Sequence, residues 1–125
     1  MKGECSVVNS VIKEIGEFAY FEDEPIIILF NTTAPEGLKE VCVMHEYHET
    51  PTADLLRKGS RILFGKQEYH VDDIGHLANS SLLELGHASL YFDLAPDQEL
   101  LPGSIAVSPN KVPKLAEGDA IQFIY

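Results

Sequence analysis

The sequence predicts a mostly β protein: a single-domain β-barrel or barrel-like sandwich with one or two short helices. Short apolar stretches recur at intervals of about 8 to 12 residues, and clusters rich in Asp, Asn, Pro and Gly separate them. No apolar run approaches the roughly 20 residues of a membrane-spanning helix. A chain of 125 residues can bury one proper core, so residues 1–125 are predicted to form one domain.

The first part of the chain predicts two strands and a short helix. Residues 6–20 alternate loosely between apolar and polar residues and predict a long strand that bends at Gly16. The continuous apolar run at residues 26–30 predicts a strand that is buried on both faces. Residues 31–35 combine N-cap side chains with a proline, so they predict a short helix that ends near Val41.

The later part predicts a hairpin, a helix and further strands. Gly65-Lys66 suits a hairpin turn, and residues 78–85 have helical spacing, with Gly86 placed as a C-terminal stop. The predicted strands are residues 61–64, 67–72, 87–93, 103–107 and 120–125.

Residues 41–48 place a histidine where an apolar strand turns polar. Val43, His45 and Tyr47 would share one face of this strand, opposite Met44. Both faces begin apolar, so the strand should start buried and reach water near His45. A half-buried imidazole with a pKa near about 6.5 can be a neutral nucleophile, and attack on phosphorus needs little more than positioning and charge stabilisation. A purely structural role in hydrogen bonding fits the same pattern.

Composition narrows the class of protein. The formal net charge of -11 argues against nucleic acid as a partner. Cys5 and Cys42 form no CxxC pair, and the first residues lack the pattern of a secretory signal, so a reduced cytoplasmic location is expected. No Walker loop, GxGxxG or kinase motif is present, which fits a carrier that another protein charges.

Short motifs follow one another in order from about residue 11 to residue 123. They are Val11-Ile12-Lys13-Glu14-Ile15-Gly16, Ala34-Pro35, Leu38, Glu40, Cys42, His45, Gly65, Tyr69, Val71, Ile74-Gly75, Leu82-Leu83-Glu84-Leu85-Gly86-His87, Leu90-Tyr91-Phe92-Asp93, Pro102-Gly103, Val107, Pro109, Gly118 and Phe123. None is diagnostic alone, but their order and spacing resemble the glucitol/sorbitol-specific IIA component of the bacterial phosphoenolpyruvate-dependent sugar phosphotransferase system.

This resemblance implies a phosphotransferase component with a phosphohistidine intermediate. It would accept a phosphoryl group from the phosphocarrier protein HPr and pass it to the IIB component of the sugar permease, which includes IIB and IIC components. His45 matches the phosphohistidine of the family. No cofactor, no nucleic-acid partner and no direct membrane insertion are expected. The apolar residues Val43, Met44 and Tyr47 are predicted to form the docking face for the two partners in turn.

His87 is the candidate second functional histidine, because it begins a strand after a glycine-stopped helix within the best-matching segment. It could donate to the phosphoryl group, orient His45, or simply bond to backbone carbonyls. The family pattern has a further histidine two residues after the phosphorylated one. Tyr47 occupies that place here, and His48 would face the other side of the strand, so a histidine pair within this strand is in doubt.

The sequence does not decide which groups form hydrogen bonds with the ring of His45. Its acceptor could be Glu46, a backbone carbonyl or a residue of another strand. Backbone N–H groups with a small hydroxyl are expected to meet the phosphoryl oxygens. The candidate hydroxyls are those of Thr50, Thr52, Ser80 and Ser81.

Two other functions fit the same residues. A metal-binding β-barrel could use His45, Glu46, His48 and Glu49, completed by His70, His76 or His87. Barrel ligands usually alternate at i and i+2, however, and the segment does not match HExxH. A non-enzymatic interaction barrel with incidental histidines is the third interpretation.

Overall fold

A computed structural model describes residues 7–21, 24–52, 54–95 and 97–125, which form a closed eight-stranded β-barrel with two short helices. The elements are β1 (Val7–Ile15), β2 (Ile26–Asn31), α1 (Glu36–Lys39), β3 (Val43–Tyr47), β4 (Arg61–Phe64), β5 (Gln67–Ile74), α2 (Ala78–Leu85), β6 (Ala88–Tyr91), β7 (Ser104–Ser108) and β8 (Ala120–Ile124). The predicted fold class is confirmed, and the closed sheet decides for a barrel over a sandwich. No helix in the described ranges is long and apolar enough to cross a membrane.

The strand order around the barrel is β1-β3-β2-β6-β7-β5-β4-β8, and β8 pairs with β1 to close it. The pairs β2/β3 and β6/β7 are parallel, and the other neighbouring pairs are antiparallel. A parallel pair needs a crossover connection, and α1 lies in the connection from β2 to β3. β3 is therefore paired on both edges, so its side chains point either into the barrel or away from it.

Side chains from alternate strand positions fill the barrel. Val43 belongs to this interior cluster, whereas Met44 belongs to a smaller cluster with Phe30, Ala34 and Cys42, which confirms the alternation predicted for β3. Cys42 is buried in the smaller cluster, and burial raises the pKa of its thiol, so its role is packing. The largest fully buried side chains are Phe64, Phe92, Phe123, Ile12, Ile27, Leu29, Met44, Leu56, Ile62, Leu82, Leu90 and Ile105.

Two predicted turns occur where expected, and both need a glycine. Gly65 (φ 61°) connects β4 to β5, and Gly86 (φ 61°) ends α2. A left-handed backbone at these positions favours glycine because it has no Cβ. The N–H of Gly86 donates to the Leu82 carbonyl oxygen at 3.0 Å, which closes the last turn of α2. The hairpin and the helix over residues 78–85 are confirmed.

The first strand and the first helix are both shorter than predicted. β1 ends before Gly16, whose backbone lies so close to α1 that an added Cβ would be 2.2 Å from the Lys39 carbonyl oxygen. α1 spans four residues and has no side-chain cap, because Asn31 Oδ1 instead accepts from a backbone N–H two residues on. Residue 6, the predicted start of the first strand, and Cys5 lie outside the described residues.

Candidate functional site

His45 lies on β3, opposite Ile12 of β1 and Asn31 of β2. Its side chain is 0% exposed. The expectation of a half-buried ring that reaches water is therefore wrong. Both edges of β3 are paired and the ring lies among barrel residues, where the turn after α2 contacts it through Gly86. A reacting group can meet this ring only after part of that surrounding structure moves.

Both ring nitrogens of His45 have hydrogen-bond partners. Nδ1 lies 2.6 Å from Ser10 Oγ, and Nε2 lies 2.8 Å from the Gly86 carbonyl oxygen. A carbonyl can only accept, so Nε2 carries the proton and the lone pair of the neutral ring is on Nδ1. The Ser10 hydroxyl also donates to the Glu46 carbonyl oxygen at 2.9 Å. A hydroxyl from another strand and a backbone carbonyl thus hold the ring, and the Glu46 carboxylate does not.

Two aromatic rings complete the surroundings of His45. Tyr47 meets the imidazole edge-on with centroids 5.0 Å apart, and Phe123 of β8 lies at 6.0 Å. The Tyr47 hydroxyl donates to the Leu82 carbonyl oxygen at 2.9 Å. Because Leu82 also accepts from the N–H of Gly86, Tyr47 connects the strand that carries His45 to the helix end that covers it.

Burial lowers the pKa of His45 below its ordinary value, because the charged ring loses its hydration. The hydrogen bond to the Gly86 carbonyl opposes part of this effect by stabilising the protonated ring. The adjacent Glu46 does not compensate, since its side chain is exposed and pairs with Lys13 at 3.9 Å. His45 is therefore neutral at physiological pH, and its partners select the tautomer.

Gly86, the residue after α2, lies in contact with the imidazole. An added Cβ at this position would lie 3.1 Å from His45 Nε2 and 3.2 Å from the backbone nitrogen of Asn31. The positive φ and this tight contact together require glycine here. The glycine predicted only as a helix stop thus also places its carbonyl on the histidine.

His87 is half-buried, and its ring packs against Phe30 with centroids 4.9 Å apart. Its Nδ1 lies 3.0 Å from the Leu29 carbonyl oxygen and donates a proton to it. This leaves the lone pair of the neutral ring on Nε2, which bonds to no described residue. His87 therefore bonds to a backbone carbonyl, as the structural interpretation predicted, although that carbonyl belongs to β2 and not to α2.

The four hydroxyls that were candidates for binding the phosphoryl oxygens form no hydrogen bond with His45 in the structure. Thr50 and Thr52 are exposed, and the Ser80 hydroxyl donates to a carbonyl within the α2 turn at 3.0 Å. Ser81 is half-buried and lines a surface pocket beside α2. None of the four bonds to His45, whose hydroxyl partner comes from β1.

The residues of the alternative metal site do not converge. His45 lies inside the barrel, whereas Glu46 and His48 are exposed on the outside. His70 and His76 are also exposed. Across the described ranges, no group of three His, Cys, Asp or Glu residues is placed to hold a metal ion. The geometry disfavours the metal interpretation.

The predicted apolar docking face is wrong for two of its three residues. Val43 is 0% exposed in the barrel interior and Met44 is 1% exposed in the smaller cluster, so neither can contact a partner. Only Tyr47 is partly exposed. Exposed apolar side chains occur instead on α2, where Leu83 and Leu85 precede the turn that covers His45.

The sequence allowed a backbone carbonyl or a residue of another strand as partners of the imidazole, but it did not identify Ser10 or Gly86. Ser10 interrupts an apolar inward face with a hydroxyl, because Val8 and Ile12 on either side of it are buried. That polar residue at an inward position of β1 was a usable signal. The carbonyl of Gly86 carried no signal, since every residue has one.

Comparison with known proteins identifies the family. The model of the family described as the PTS system glucitol/sorbitol-specific IIA component matches residues 7–122. The PTS system glucitol/sorbitol-specific EIIA component of Escherichia coli K12 is 32% identical over 118 residues, 94% of each chain. That of Shigella flexneri is 32% identical over 100 residues, which cover 80% of this chain and 79% of the relative.

A solved structure has the same fold. The crystal structure of a PTS system IIA component from Enterococcus faecalis V583 superposes with a TM-score of 0.84 at 29% identity. The match covers 94% of this chain and 99% of the other. The chain is thus an eight-stranded barrel with a buried histidine whose two ring nitrogens are hydrogen-bonded, and the family model matches nearly its whole length. The chain belongs to the family of PTS glucitol/sorbitol-specific IIA components.

Proposed function

We propose that this chain is a phosphocarrier that accepts a phosphoryl group from HPr on His45 and passes it to the IIB component for glucitol/sorbitol uptake and phosphorylation. Residues 1–125 would act as one phosphocarrier domain in the cytoplasm, with the IIB and IIC components as downstream partners. Family membership supports the role, and the match over residues 7–122 includes His45.

The environment of His45 is the observation that carries this proposal. Burial keeps the imidazole neutral, and Ser10 and Gly86 hold its two nitrogens in fixed directions. A phosphoryl acceptor needs a lone pair on one nitrogen and a defined partner on the other. His45 has both properties once one of its two partners moves aside.

The transfer step is a simple exchange of N–P bonds. A lone pair of His45 attacks the phosphorus of phosphohistidine on HPr, a new N–P bond forms, and the old N–P bond returns its electron pair to the donor imidazole. A cysteine thiolate of IIB then takes the phosphoryl group from His45. Phosphoenolpyruvate supplies the energy upstream, so the step requires no nucleotide at this site.

The approach to His45 leads through the turn after α2. Ser10 lies in a strand paired on both edges, whereas Gly86 lies in a turn between α2 and β6. A partner can therefore displace the Gly86 carbonyl at lower cost than the Ser10 hydroxyl. The exposed side chains of Leu83 and Leu85 lie on the same helix, directly before this turn, and would contact HPr there.

Intact mass tests the function directly. The protein is incubated with phosphoenolpyruvate, enzyme I and HPr, and the modified residue is located under alkaline conditions that preserve phosphohistidine. We expect one acid-labile phosphoryl group on His45, which is lost when HPr is omitted. No modification from working donors, or a phosphoryl group on another residue, would contradict the proposal.

A further inference from the structure

Ser10 is a completely buried hydroxyl in the barrel wall, 0% exposed between the buried residues Val8 and Ile12. Its Oγ lies 2.6 Å from His45 Nδ1 and 2.9 Å from the Glu46 carbonyl oxygen. We propose that Ser10 is a positioning residue that bonds to Nδ1 in both neutral tautomers of His45 and so prepares Nε2 for phosphoryl transfer. This inference rests on the proposed function of His45.

The arrangement in the structure holds the ring in an unreactive tautomer. The Gly86 carbonyl accepts the proton of Nε2, so the lone pair is on Nδ1, and the Ser10 O–H is shared between this lone pair and the Glu46 carbonyl oxygen. Nδ1 cannot meet phosphorus here, because Ser10 Oγ is in hydrogen-bond contact with it from a strand fixed on both edges. Reaction therefore requires the opposite tautomer, with the lone pair on Nε2.

Ser10 can serve that tautomer without moving. When the Gly86 carbonyl leaves Nε2, the ring proton is carried on Nδ1 and donated to Ser10 Oγ. The Ser10 O–H then donates to the Glu46 carbonyl oxygen alone, through the 2.9 Å hydrogen bond that the structure already shows. One hydroxyl oxygen can accept and donate at once, whereas a backbone carbonyl can only accept. The Ser10 oxygen thus suits a ring that changes its tautomer.

The same contact stabilises the charge that develops during transfer. As Nε2 forms its bond to phosphorus, the donor N–P bond breaks and the donor imidazole takes back the electron pair. The proton stays on Nδ1, so the His45 ring becomes positive and its bond to Ser10 Oγ strengthens. In the onward step, that retained proton keeps the ring electron-poor and makes it a good leaving group for attack by a thiolate.

Other groups around the ring do not supply this stabilisation. Tyr47 is the titratable side chain in contact with it from β3, and burial raises the pKa of that phenol, so it stays neutral. β8 contributes Phe123, and the turn after α2 contributes the Gly86 carbonyl. His87 follows in the chain, but its ring bonds to the Leu29 carbonyl. Ser10 is thus the side chain that bonds to this imidazole within the described residues.

The test combines two variants of Ser10 with a matched control. Ser10→Ala removes the hydroxyl, Ser10→Thr retains it, and Ser104→Ala removes a hydroxyl from another buried strand residue, 3% exposed on β7. Phosphorylation by phospho-HPr is timed, and nitrogen-15 NMR of the ring follows the tautomer and pKa of His45. We expect Ser10→Ala to slow transfer by about ten- to a hundred-fold, with near wild-type rates for Ser10→Thr and Ser104→Ala.

The direction of the pKa change separates positioning from packing. Loss of an acceptor for Nδ1–H destabilises the charged ring, so Ser10→Ala should lower the pKa of His45 further. Loosened packing would admit water and raise that pKa towards its ordinary value, which would overturn the proposal. If Ser10→Ala does not fold, Ser10→Cys retains the volume with a weaker donor and acceptor, and the same predictions apply to it.

The controls distinguish this inference from the proposed function. If the wild-type chain accepts no phosphoryl group, the proposed function fails, and the role of Ser10 in transfer fails with it. If the wild type is phosphorylated and Ser10→Ala matches its rate and pKa, only the inference about Ser10 is overturned. Slower transfer with a lower pKa, reversed in Ser10→Thr, supports both.

Discussion

His45 and His87 lie on either side of the same turn but in opposite environments. His45 is completely buried and both of its nitrogens are bonded, one to Ser10 and one to Gly86. His87 is half-buried, with Nδ1 bonded to the Leu29 carbonyl and Nε2 bonded to no described residue. The ring of His87 is therefore more accessible to a phosphoryl donor, whereas the orientation and tautomer of His45 are fixed by two hydrogen bonds.

The difference shows that access and preparation for reaction are separate properties of a histidine. Burial removes water from His45, which keeps the ring neutral and would shield a phosphoryl group on it from hydrolysis. It also makes reaction conditional on movement of the turn at Gly86. We expect a phosphocarrier to use the buried, hydrogen-bonded imidazole, because it must transfer its phosphoryl group to a specific partner and not to water.

The largest expected effect comes from replacing each histidine in turn. His45→Ala should reduce phosphorylation by HPr at least about a thousand-fold, because the proposed nucleophile is lost. His87→Ala should reduce it by no more than about ten-fold, since that ring would only assist. Rates with purified phospho-HPr measure both changes, and circular dichroism checks that each variant is folded. A reversed order of the two effects would transfer the acceptor role to His87.

A second experiment uses two glycines with the same backbone angle. Gly86 and Gly65 both have φ 61°, but an added Cβ meets His45 Nε2 at 3.1 Å only at Gly86, while Gly65 faces open space. Gly65→Ala should cost about 1 kcal/mol in unfolding free energy, from backbone strain alone. Gly86→Ala should lower the unfolding free energy by about 2–3 kcal/mol, because the close contact with His45 adds to the backbone strain. Urea unfolding measures both, and equal costs would show that the turn does not press on the histidine.

The pH dependence of stability tests the burial of His45. Its pKa is lowered in the folded state, so the unfolded chain binds this proton more readily. The stabilising contribution is present above the unfolded pKa of about 6.5 and is lost as the pH falls from there towards the lowered folded value. The slope is at most about 1.4 kcal/mol per pH unit for one proton.

Comparison with His45→Gln isolates this contribution, because the other histidines are common to both proteins. We expect the wild type to lose more stability than His45→Gln between pH 7 and pH 5. Unfolding free energies at closely spaced pH values measure the difference. Parallel curves for the two proteins would contradict a buried, neutral imidazole.

The smallest expected effect concerns the link between Tyr47 and α2. Tyr47→Phe removes the hydroxyl that donates to the Leu82 carbonyl at 2.9 Å. The unfolding free energy, measured by urea unfolding, should fall by about 1 kcal/mol, since the Leu82 carbonyl still accepts from the N–H of Gly86. Tyr91→Phe is the matched control, a half-buried tyrosine with no hydrogen bond from its hydroxyl to the described residues. Equal stability of the two variants would show that the link contributes nothing.

Much of the fold could be predicted from local patterns. Alternation and turn residues located the hairpin at Gly65 and the helix that ends at Gly86. The hairpin and the helix end depend on residues that are neighbours in the chain, so a local sequence pattern is enough to predict them. The length of β1 was predicted less well, because the strand stops where Gly16 meets the backbone of Lys39, a contact between distant segments.

The sequence by itself determined the mostly β fold class, the family and the choice of His45 as the residue of interest. It could not determine how deeply that residue is buried, because the cover comes from a turn 41 residues away in the chain. Only the tertiary structure decided that Ser10, 35 residues distant, bonds to Nδ1 and that a glycine carbonyl bonds to Nε2. Strand pairing across the barrel brings these groups together, and the pairing depends on the whole sheet closing and not on any local pattern.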